Sequence, residues 1–356
     1  MEKPLQNVTV VEMSGLGPGP HAGQLLADWG AEVIAVSRPG QPMQPVESRG
    51  KRSVVLDLAG DRAREAVLRL AQRADVLIEG YRPGVMERLG LGPSEMHARN
   101  PRLVYGRMTG WGQTGPWARV AGHDINYIGL TGALHAMGHA ERPPAPPLNL
   151  VGDYGGGSMF LVGGVLAALL RSRETGEGAV VDAAIVDGTL SLFGLMFSMA
   201  GQGMWTTARE ANLLDGGAPF YRCYEAADGG FMAVGCLEPK FFARMLELLG
   251  IAPEDYGAQN DRTLWDDQAA LLARTFASRD RATWEGVFDG EDACVTPVLT
   301  YGEAREHPHM RARQSLRERS GVLHPGPAPR FGGDVAVPDV PEAGADTQAV
   351  LREVGL

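Results

Sequence analysis

The sequence predicts an α/β protein with a large Rossmann-like domain, built on a parallel sheet, and a smaller α+β domain. Three observations predict this class. Strand-like and helix-like segments alternate through the first half of the chain, a breaker-rich stretch interrupts the pattern at Asp215-Gly216-Gly217, and a hairpin signal follows. The length of 356 residues is sufficient for two domains.

The elements of the large domain follow from the spacing of apolar residues. Helical spacing predicts helices at 20–30 and 62–72, and an apolar run predicts a buried helix at 158–170. Short runs of β-branched and apolar residues predict strands at 8–11, 32–36, 53–58, 75–79, 103–108 and 179–185. Because strands alternate with helices, we expect a largely parallel sheet with helices on its faces.

The second domain is predicted to begin with a hairpin. Two strand-like runs, 220–225 and 231–236, flank Asp228-Gly229-Gly230, and amphipathic helices follow at 240–249, 268–277 and 281–288. We therefore expect a large Rossmann-like domain at 1–200, a linker at 201–219, a small domain at 220–320 and a return segment at 321–356. A final helix near 347–354 is expected to pack on the large domain.

Composition excludes several classes of partner and site. The net charge of −10 argues against nonspecific binding to nucleic acid or to anionic membranes. The uncharged stretch 188–208 is interrupted by polar residues, so we interpret it as a buried helix. Cys223, Cys236 and Cys294 are widely spaced, which indicates neither a disulfide framework nor a zinc site. With no signal-peptide pattern at the start, we expect a cytoplasmic protein. We also expect that the protein binds no metal.

The first strand-to-helix turn, Ser14 to Pro20, resembles a dinucleotide-binding loop but lacks its final glycine. Arg38 follows the second strand, where an arginine suits a ribose-linked phosphate such as that of NADP or coenzyme A. Arg82 and Arg88 follow the fourth strand, at the edge where ligands bind in such sheets. The basic cluster Arg49 to Arg52 is equally compatible with a ligand site and with a solvated face.

His123 and Asp153 are the candidate acid and base. Asp153 lies near the start of the predicted buried helix, where free N–H groups stabilise negative charge on it or on a neighbouring oxyanion. The structural alternatives are a helix cap for Asp153 and a hydrogen-bonded core residue for His123. Glu238 lies at a strand-to-helix turn, where the alternative is a helix N-terminal residue favoured by the dipole.

Several segments resemble the α-methylacyl-CoA racemases, which have the fold of the family III CoA-transferases. The similar segments occur in the same order along the chain. They are Glu12–Pro20, Arg49–Ser53, Ala121–Tyr127, Asn149–Gly157, Asp215–Tyr221 and Asp292–Val298.

The resemblance implies that His123 and Asp153 flank the α-carbon of the substrate, and that Glu238 bonds to His123. It implies an interlocked homodimer in which the partner chain supplies Glu238. The coenzyme A moiety of the substrate would be bound by Arg38, Leu56, Asp57, Leu58, Ala59, Arg82, Arg88, Gly122, His123, Asp124, Ile125, Asn126 and Tyr127.

The function expected from this resemblance is racemisation of 2-methylacyl-CoA thioesters by 1,1-proton transfer through an enolate. This chemistry belongs to fatty acid metabolism and requires no cofactor beyond the coenzyme A moiety of the substrate. The alternative enzyme is a CoA-transferase in which Asp153 is the nucleophile. A noncatalytic acyl-CoA-binding protein and an NADP oxidoreductase are weaker alternatives. The acyl chain, the pathway and the face served by each base stay open.

Overall fold

A six-stranded parallel sheet organises the larger part of the computed structural model, which describes residues 3–332 and 336–356. The strand order is β3-β2-β1-β4-β5-β6, the doubly wound order of Rossmann folds. The α/β fold class and the parallel sheet predicted from the sequence are thus confirmed. The strands are β1 (Thr9–Met13), β2 (Glu32–Ser37), β3 (Arg52–Val55), β4 (Val76–Glu79), β5 (Val104–Thr109) and β6 (Ala179–Ala184).

Helices cover both faces of this sheet. Leu26 and Val165 belong to the apolar core on one face, while Leu70 and Leu351 belong to the core on the other. The strand order reverses between the neighbouring strands β1 and β4, which places a crevice at their carboxyl ends. The helices up to β6 and the one after it are α1 (Pro18–Asp28), α2 (Pro45–Ser48), α3 (Asp61–Arg73), α4 (Val85–Arg88), α5 (Pro93–Arg99), α6 (Asp124–Leu130), α7 (Met159–Thr175) and α8 (Ile185–Leu192).

The segment Leu150–Ser158 leads directly into α7 and is a π-helix. Its wide hydrogen bonding is illustrated by the Tyr154 N–H, which donates to the Asn149 carbonyl at 3.1 Å. The sequence analysis began this helix at residue 158. That start was too late because glycines, which disfavour regular helix, dominate the π-helical turn.

The combined run Leu150–Thr175 is apolar and long enough to cross a membrane by length and composition. In this structure Leu161, Val165 and Leu169 of the run lie in the core beneath the sheet. The core helix of a soluble protein passes the same test, so this run is weak evidence for a membrane segment.

A second unit is built on an antiparallel sheet with the order β7-β8-β9. Tyr224 and Met232 face its core, in which Phe276 and Trp284 pack edge to face. The predicted hairpin is confirmed. The elements of this unit are α9 (Gly194–Gly201), β7 (Tyr221–Glu225), β8 (Phe231–Gly235), α10 (Pro239–Leu249), α11 (Pro253–Tyr256), α12 (Trp265–Phe276), α13 (Arg281–Phe288), β9 (Val295–Val298) and α14 (Tyr301–Glu306).

The chain returns to the first unit with α15 (Pro308–Ala312), β10 (Leu316–Arg319), β11 (Val322–Pro325) and α16 (Thr347–Glu353). At the start of α16, the Asp346 carboxylate accepts the Ser53 N–H at 2.8 Å, and the Thr347 hydroxyl accepts the Val55 N–H at 3.0 Å. This final helix therefore packs along the exposed edge of β3. Part of the predicted return segment 321–356 lies outside the described residues.

The division into units differs from the predicted boundaries. The first unit comprises the chain up to Ala133, then Pro147–Phe193 and the residues from Pro308 onward, while Leu134–Pro146 and Gly194–His307 form the second. The reason for the placement of Leu134–Pro146 is a set of polar contacts. The Arg209 guanidinium donates to four carbonyls of this segment, and the Glu210 carboxylate accepts the Ala140 N–H at 2.8 Å.

The basic cluster Arg49 to Arg52 combines two buried cations with one partly exposed cation. Arg49 is fully buried and forms a bidentate ion pair with Asp28, while the Lys51 ammonium lies 2.6 Å from the buried Glu12 carboxylate. Arg52 pairs with surface carboxylates, including that of Glu353. The interpretation as a solvated face was wrong for Arg49 and Lys51, because the partners of these buried cations lie more than twenty residues away and leave no local pattern.

Candidate active site

A cavity of about 490 Å³ opens in the first unit at the carboxyl ends of β1 and β4. The turn Ser14–Pro20 after β1 and Gly80-Tyr81 after β4 form two of its walls. His123, Asp153 and Arg38 also line it. The structure thus brings three sequence-predicted residues, from distant parts of the chain, together at the crevice where open α/β sheets bind ligands.

His123 occupies the N-cap position of α6 and has an extended backbone conformation. Its N–H donates to the Asn126 side-chain oxygen at 3.0 Å, and its carbonyl accepts the Asn126 N–H at 2.8 Å. These reciprocal bonds fix the backbone of His123. Its imidazole is exposed to the cavity, so it is accessible to a ligand rather than a core residue.

Asp153 lies in the first turn of the π-helical segment and is half-buried. Burial raises the pKa of Asp153 to about 6, and the nearby carboxylates of Asp124 and Glu47 raise it further while His123 lowers it. A carboxyl group with such a pKa is closer in proton affinity to an imidazole than an ordinary aspartate is. The pair is therefore suited to passing protons in both directions.

Asp124 is buried, and its side chain points away from the ligand cavity into the protein. Its Oδ2 accepts the Asp153 N–H at 2.7 Å, whereas Oδ1 has no hydrogen-bond partner among the described residues. Burial raises the pKa of Asp124, and the hydrogen bonds from Asp153 and Gly152 lower it. The sequence analysis assigned Asp124 only to coenzyme A binding. Its contact with Asp153 was missed because the two residues are 29 positions apart.

Gly17 brings the β1–α1 turn against the Asp153 carboxylate. Its φ is +72°, and a Cβ built on it would lie 3.2 Å from Asp153 Oδ2. A side chain at position 17 would therefore be strained by its own backbone and would press on the candidate acid/base group. Gly17 thus allows the β1–α1 turn to lie close to the Asp153 carboxylate. Its role does not depend on the resemblance of this turn to a dinucleotide-binding loop.

Two backbone N–H groups at the start of α6 are the candidate donors to an oxyanion. The N–H groups of Asp124 and Ile125 have no acceptor within the described part of the chain. The sequence analysis placed such donors near Asp153 instead. There the Asp153 N–H donates to Asp124 and the Tyr154 N–H to Asn149, so neither is free for a ligand.

Four arginines near the two cavities have no carboxylate partner within residues 3–332 and 336–356. Arg38 lines the cavity that contains His123 and Asp153, and Arg82 lines a second, neighbouring cavity. The guanidinium groups of Arg88 and Arg119 both lie near Gly84. Unpaired guanidinium groups bind phosphate oxygens well. Arg119 was missed by the sequence analysis because it lies in an irregular loop without a motif.

The second cavity, of about 370 Å³, shares His123 and Tyr127 with the first. Trp111 packs edge to face on Tyr127, with ring centroids 4.8 Å apart, and its indole N–H donates to the Val120 carbonyl at 3.2 Å. The Tyr127 hydroxyl donates to the Gly122 carbonyl. These contacts hold the segment Gly122–Tyr127 in place beside Arg82.

The remaining predicted residues lie apart from these cavities. Leu56 is buried in the core and Leu58 packs against it, while Asp57 and Ala59 form a turn after β3, in which the Asp57 carboxylate accepts the Ala59 N–H at 3.0 Å. Glu238 is the N-cap residue of α10 in the second unit. Its predicted bond to His123 and its supply by a partner chain stay predictions.

The comparison with protein families decides the classification. The model of CoA-transferase family III matches residues 5–347, which is nearly the whole chain. The chain belongs to this family. The resemblance noted from the sequence and the predicted fold class are thereby confirmed.

Two curated relatives are similar along nearly their whole length. The chain is 44% identical over 355 residues to the α-methylacyl-CoA racemase of Mus musculus and 42% identical over 356 residues to that of Homo sapiens. Each alignment covers 99% of this chain and 93% of the relative. A solved structure of a CaiB/BaiF family protein from Brucella suis has a TM-score of 0.82 and 26% identity, covering 99% of this chain and all of that one.

Proposed function

We propose that this protein is an α-methylacyl-CoA racemase, an isomerase that interconverts the (2R) and (2S) epimers of 2-methylacyl-CoA thioesters. The observation that carries the proposal is the placement of His123 and Asp153 in one cavity at the switch point of the sheet. Identity above 40% to two curated racemases over nearly the full chain supports it.

The reaction needs two groups that share one proton. In one direction the ionised Asp153 takes the α-proton from one face, and the protonated His123 delivers a proton to the other face. In the reverse direction the neutral His123 takes the proton and the protonated Asp153 delivers one. The raised pKa of Asp153 supports this exchange of roles, because it increases the population of the protonated carboxyl near neutral pH.

Between the two proton transfers the substrate is an enolate, whose negative charge resides on the former thioester oxygen. The N–H groups of Asp124 and Ile125 are donors of the right kind for this oxygen, because they are fixed by α6 and have no other acceptor in the described chain. Preorganised donors of this kind typically contribute about 3 kcal/mol each to the stability of such an intermediate. No cofactor is needed for these steps.

We assign binding of the coenzyme A moiety to the four unpaired arginines near the two cavities. Arg38 and Arg82 line the two cavities, and Arg88 and Arg119 lie on the same side, near Gly84. A local concentration of unpaired guanidinium groups is compatible with a chain of net charge −10, since it attracts a phosphorylated ligand to one place. The acyl-CoA substrate is thus held by its phosphates beside the acid/base pair.

We further propose a homodimer in which the partner chain supplies a Glu238 to each His123. Helices α7 and α8 support dimerisation, because they expose large apolar side chains to solvent in the single chain. These are Met159, Phe160, Leu170, Leu190 and Leu192. A cytoplasmic location, a role in fatty acid metabolism and the absence of nucleic-acid and membrane partners complete the proposal.

The decisive experiment is proton NMR of the purified protein in D₂O with a single epimer of a 2-methylacyl-CoA, with and without a free carboxylic acid. We expect the α-proton signal to disappear as the second epimer forms. His123→Ala and Asp153→Ala variants are each expected to lose most of this activity. Normal turnover by either folded variant would contradict the assigned roles.

The second candidate is CoA transfer, which family membership favours as a class. In that reaction the Asp153 carboxylate attacks the thioester carbonyl and releases the thiolate of coenzyme A, forming an acyl anhydride. Transfer of coenzyme A to the added acid without loss of the α-proton would establish this function. Hydroxylamine, which traps anhydrides and thioesters, would then modify Asp153 in an acyl-CoA-dependent manner.

The dimer is tested by mixing two inactive variants. Co-expressed His123→Gln and Glu238→Gln chains form mixed dimers, in which one site combines an intact His123 with an intact Glu238. We expect substantial activity to return in the mixed dimer if Glu238 acts across the interface. Mixed dimers without activity would show that each chain uses its own Glu238.

A further inference from the structure

The backbone around Asp153 has little intrinsic stiffness. Gly152 precedes it, and Gly155, Gly156 and Gly157 follow Tyr154. Glycine loses more conformational freedom on ordering than any other residue, so this segment does not by itself hold a carboxylate in one orientation. The glycines are nevertheless required by packing, since a Cβ on Gly156 would lie 2.8 Å from the Thr189 nitrogen of α8.

Side chains from two neighbouring helices hold the segment instead. The Tyr154 hydroxyl donates to Glu47 Oε1 of α2 at 2.7 Å. The Tyr154 ring stacks on the imidazole of His21 in α1, with centroids 4.2 Å apart and an interplanar angle of 24°. Tyr154, which directly follows Asp153, is thus held by a hydrogen bond from its hydroxyl and by the stacking of its ring on His21.

The phenol of Tyr154 and the imidazole of His21 each keep one protonation state at neutral pH. Burial, followed by the hydrogen bond to Glu47, raises the pKa of Tyr154 to about 12, so the phenol stays a donor at neutral pH. Burial lowers the pKa of His21 to about 4, so its ring stays uncharged. Burial raises the pKa of Glu47, and the bond from Tyr154 lowers it.

We propose that Tyr154, held between the Glu47 carboxylate and the His21 ring, is a positioning residue that fixes the Asp153 carboxylate against the substrate α-carbon. Tyr154, Glu47 and His21 are not among the described residues that line the cavity with His123 and Asp153, so they act from behind it. The inference rests on the proposed function, because it assumes that Asp153 exchanges a proton with the substrate.

The test measures deuterium exchange at the α-carbon of each epimer separately. In D₂O, the group that faces the α-proton of an epimer can remove it and return deuterium to the same face. Exchange with retention therefore reports one group at a time. Asp153→Asn identifies the epimer whose exchange depends on Asp153, while the other epimer continues to exchange through His123.

Tyr154→Phe keeps the stacked ring and removes the hydroxyl. We expect exchange of the Asp153-dependent epimer to slow about tenfold, the factor that corresponds to about 1.4 kcal/mol, while exchange of the other epimer stays near the wild-type rate. Glu47→Ala removes the acceptor and should reproduce this result. Glu47→Gln retains an acceptor oxygen and should restore most of the exchange.

A purely structural role predicts a different outcome. If Tyr154→Phe and Glu47→Ala slowed both epimers equally, or slowed neither, the positioning role would be refuted. If Tyr154→Phe fails to fold, the comparison of Glu47→Ala with Glu47→Gln tests the positioning role instead. Wild-type protein that exchanges neither epimer would overturn the proposed function itself, and the positioning role with it.

Discussion

Asp124→Asn is the substitution that tests the electrostatic control of Asp153 most directly. Asparagine has nearly the same shape as aspartate, and its side-chain oxygen can still accept the Asp153 N–H, which lies 2.7 Å from Asp124 Oδ2. The substitution removes one negative charge that faces Asp153 and leaves the burial of Asp153 unchanged. It therefore separates the two largest causes of the raised pKa.

The magnitude follows from the order of those causes. The pKa of Asp153 rises from 3.8 to about 6, with burial as the largest cause and Asp124 as the second. Asp124 therefore contributes less to the rise than burial does. We expect the substitution to lower the pKa of Asp153 by about one unit, which is about 1.4 kcal/mol in the relative stability of its two protonation states.

The assay is the pH dependence of α-proton exchange from the epimer whose proton passes to Asp153. Asp153 must be ionised to take this proton, so the rate rises as pH rises through its pKa. Removing the like charge lowers that pKa, and the rising limb of the profile should move to lower pH. His123, Glu47 and Tyr127 also face Asp153 and are left unchanged.

Two controls make the result interpretable. The exchange profile of the other epimer, whose proton we propose passes to His123, reports any general damage to the site. The free energy of unfolding reports the cost of the buried amide NH₂, since Asp124 Oδ1 has no partner among the described residues and an NH₂ there would have none either. A rising limb that stays in place or moves to higher pH would refute the role assigned to Asp124.

Three further predictions concern other features of the structure. Lys51→Met leaves the buried Glu12 carboxylate without its cation, so we expect the free energy of unfolding to fall by about 3 kcal/mol in urea denaturation. Gly17→Ala places a Cβ 3.2 Å from Asp153 at a φ of +72°, so kcat for racemisation should fall at least about tenfold. Arg38→Ala removes a charge that we propose binds a phosphate of coenzyme A, so KM for acyl-CoA should rise about tenfold while kcat changes little.

Each of these predictions has a matched control. Arg52→Ala removes a partly exposed cation from the next position in the chain and should cost no more than about 1 kcal/mol. Gly40→Ala shares the positive φ of Gly17 but meets no atom within 4 Å, so a loss of kcat there would assign the effect to backbone strain alone. An acyl-pantetheine thioester lacks the nucleotide phosphates, and an equal rise in its KM would show that Arg38 does not bind them.

The parallel sheet could be predicted because its signals are local. The apolar runs at 32–36 and 75–79 are bounded by polar residues, and they became the strands β2 and β4. The hairpin of β7 and β8 was predictable for the same reason, since Asp228-Gly229-Gly230 marks its turn. Residues that follow strands, such as Arg38, could then be assigned to the edge of the sheet at which the strands end and ligands bind.

The remaining features depend on contacts between distant residues. Lys51 pairs with Glu12 across 39 positions, and Asp124 reaches Asp153 across 29, so neither contact leaves a local pattern. The assignment of residues 134–146 to the second unit depends on the Arg209 guanidinium, about seventy positions away. Hydrophobic periodicity contains no information on such pairings, because it reports only which face of an element is buried.

The raised pKa of Asp153 also bears on the choice between the two proposed reactions. At pH 7, a carboxyl group with a pKa of 3.8 is protonated in about one molecule in 1,600, whereas one with a pKa of about 6 is protonated in about one in ten. A larger protonated population does not help a nucleophilic carboxylate, since only its ionised form attacks a thioester. A group that must also deliver a proton gains more than a hundredfold in its active form. Burial of Asp153 and the adjacent charge of Asp124 thus favour proton transfer as the chemistry of this site.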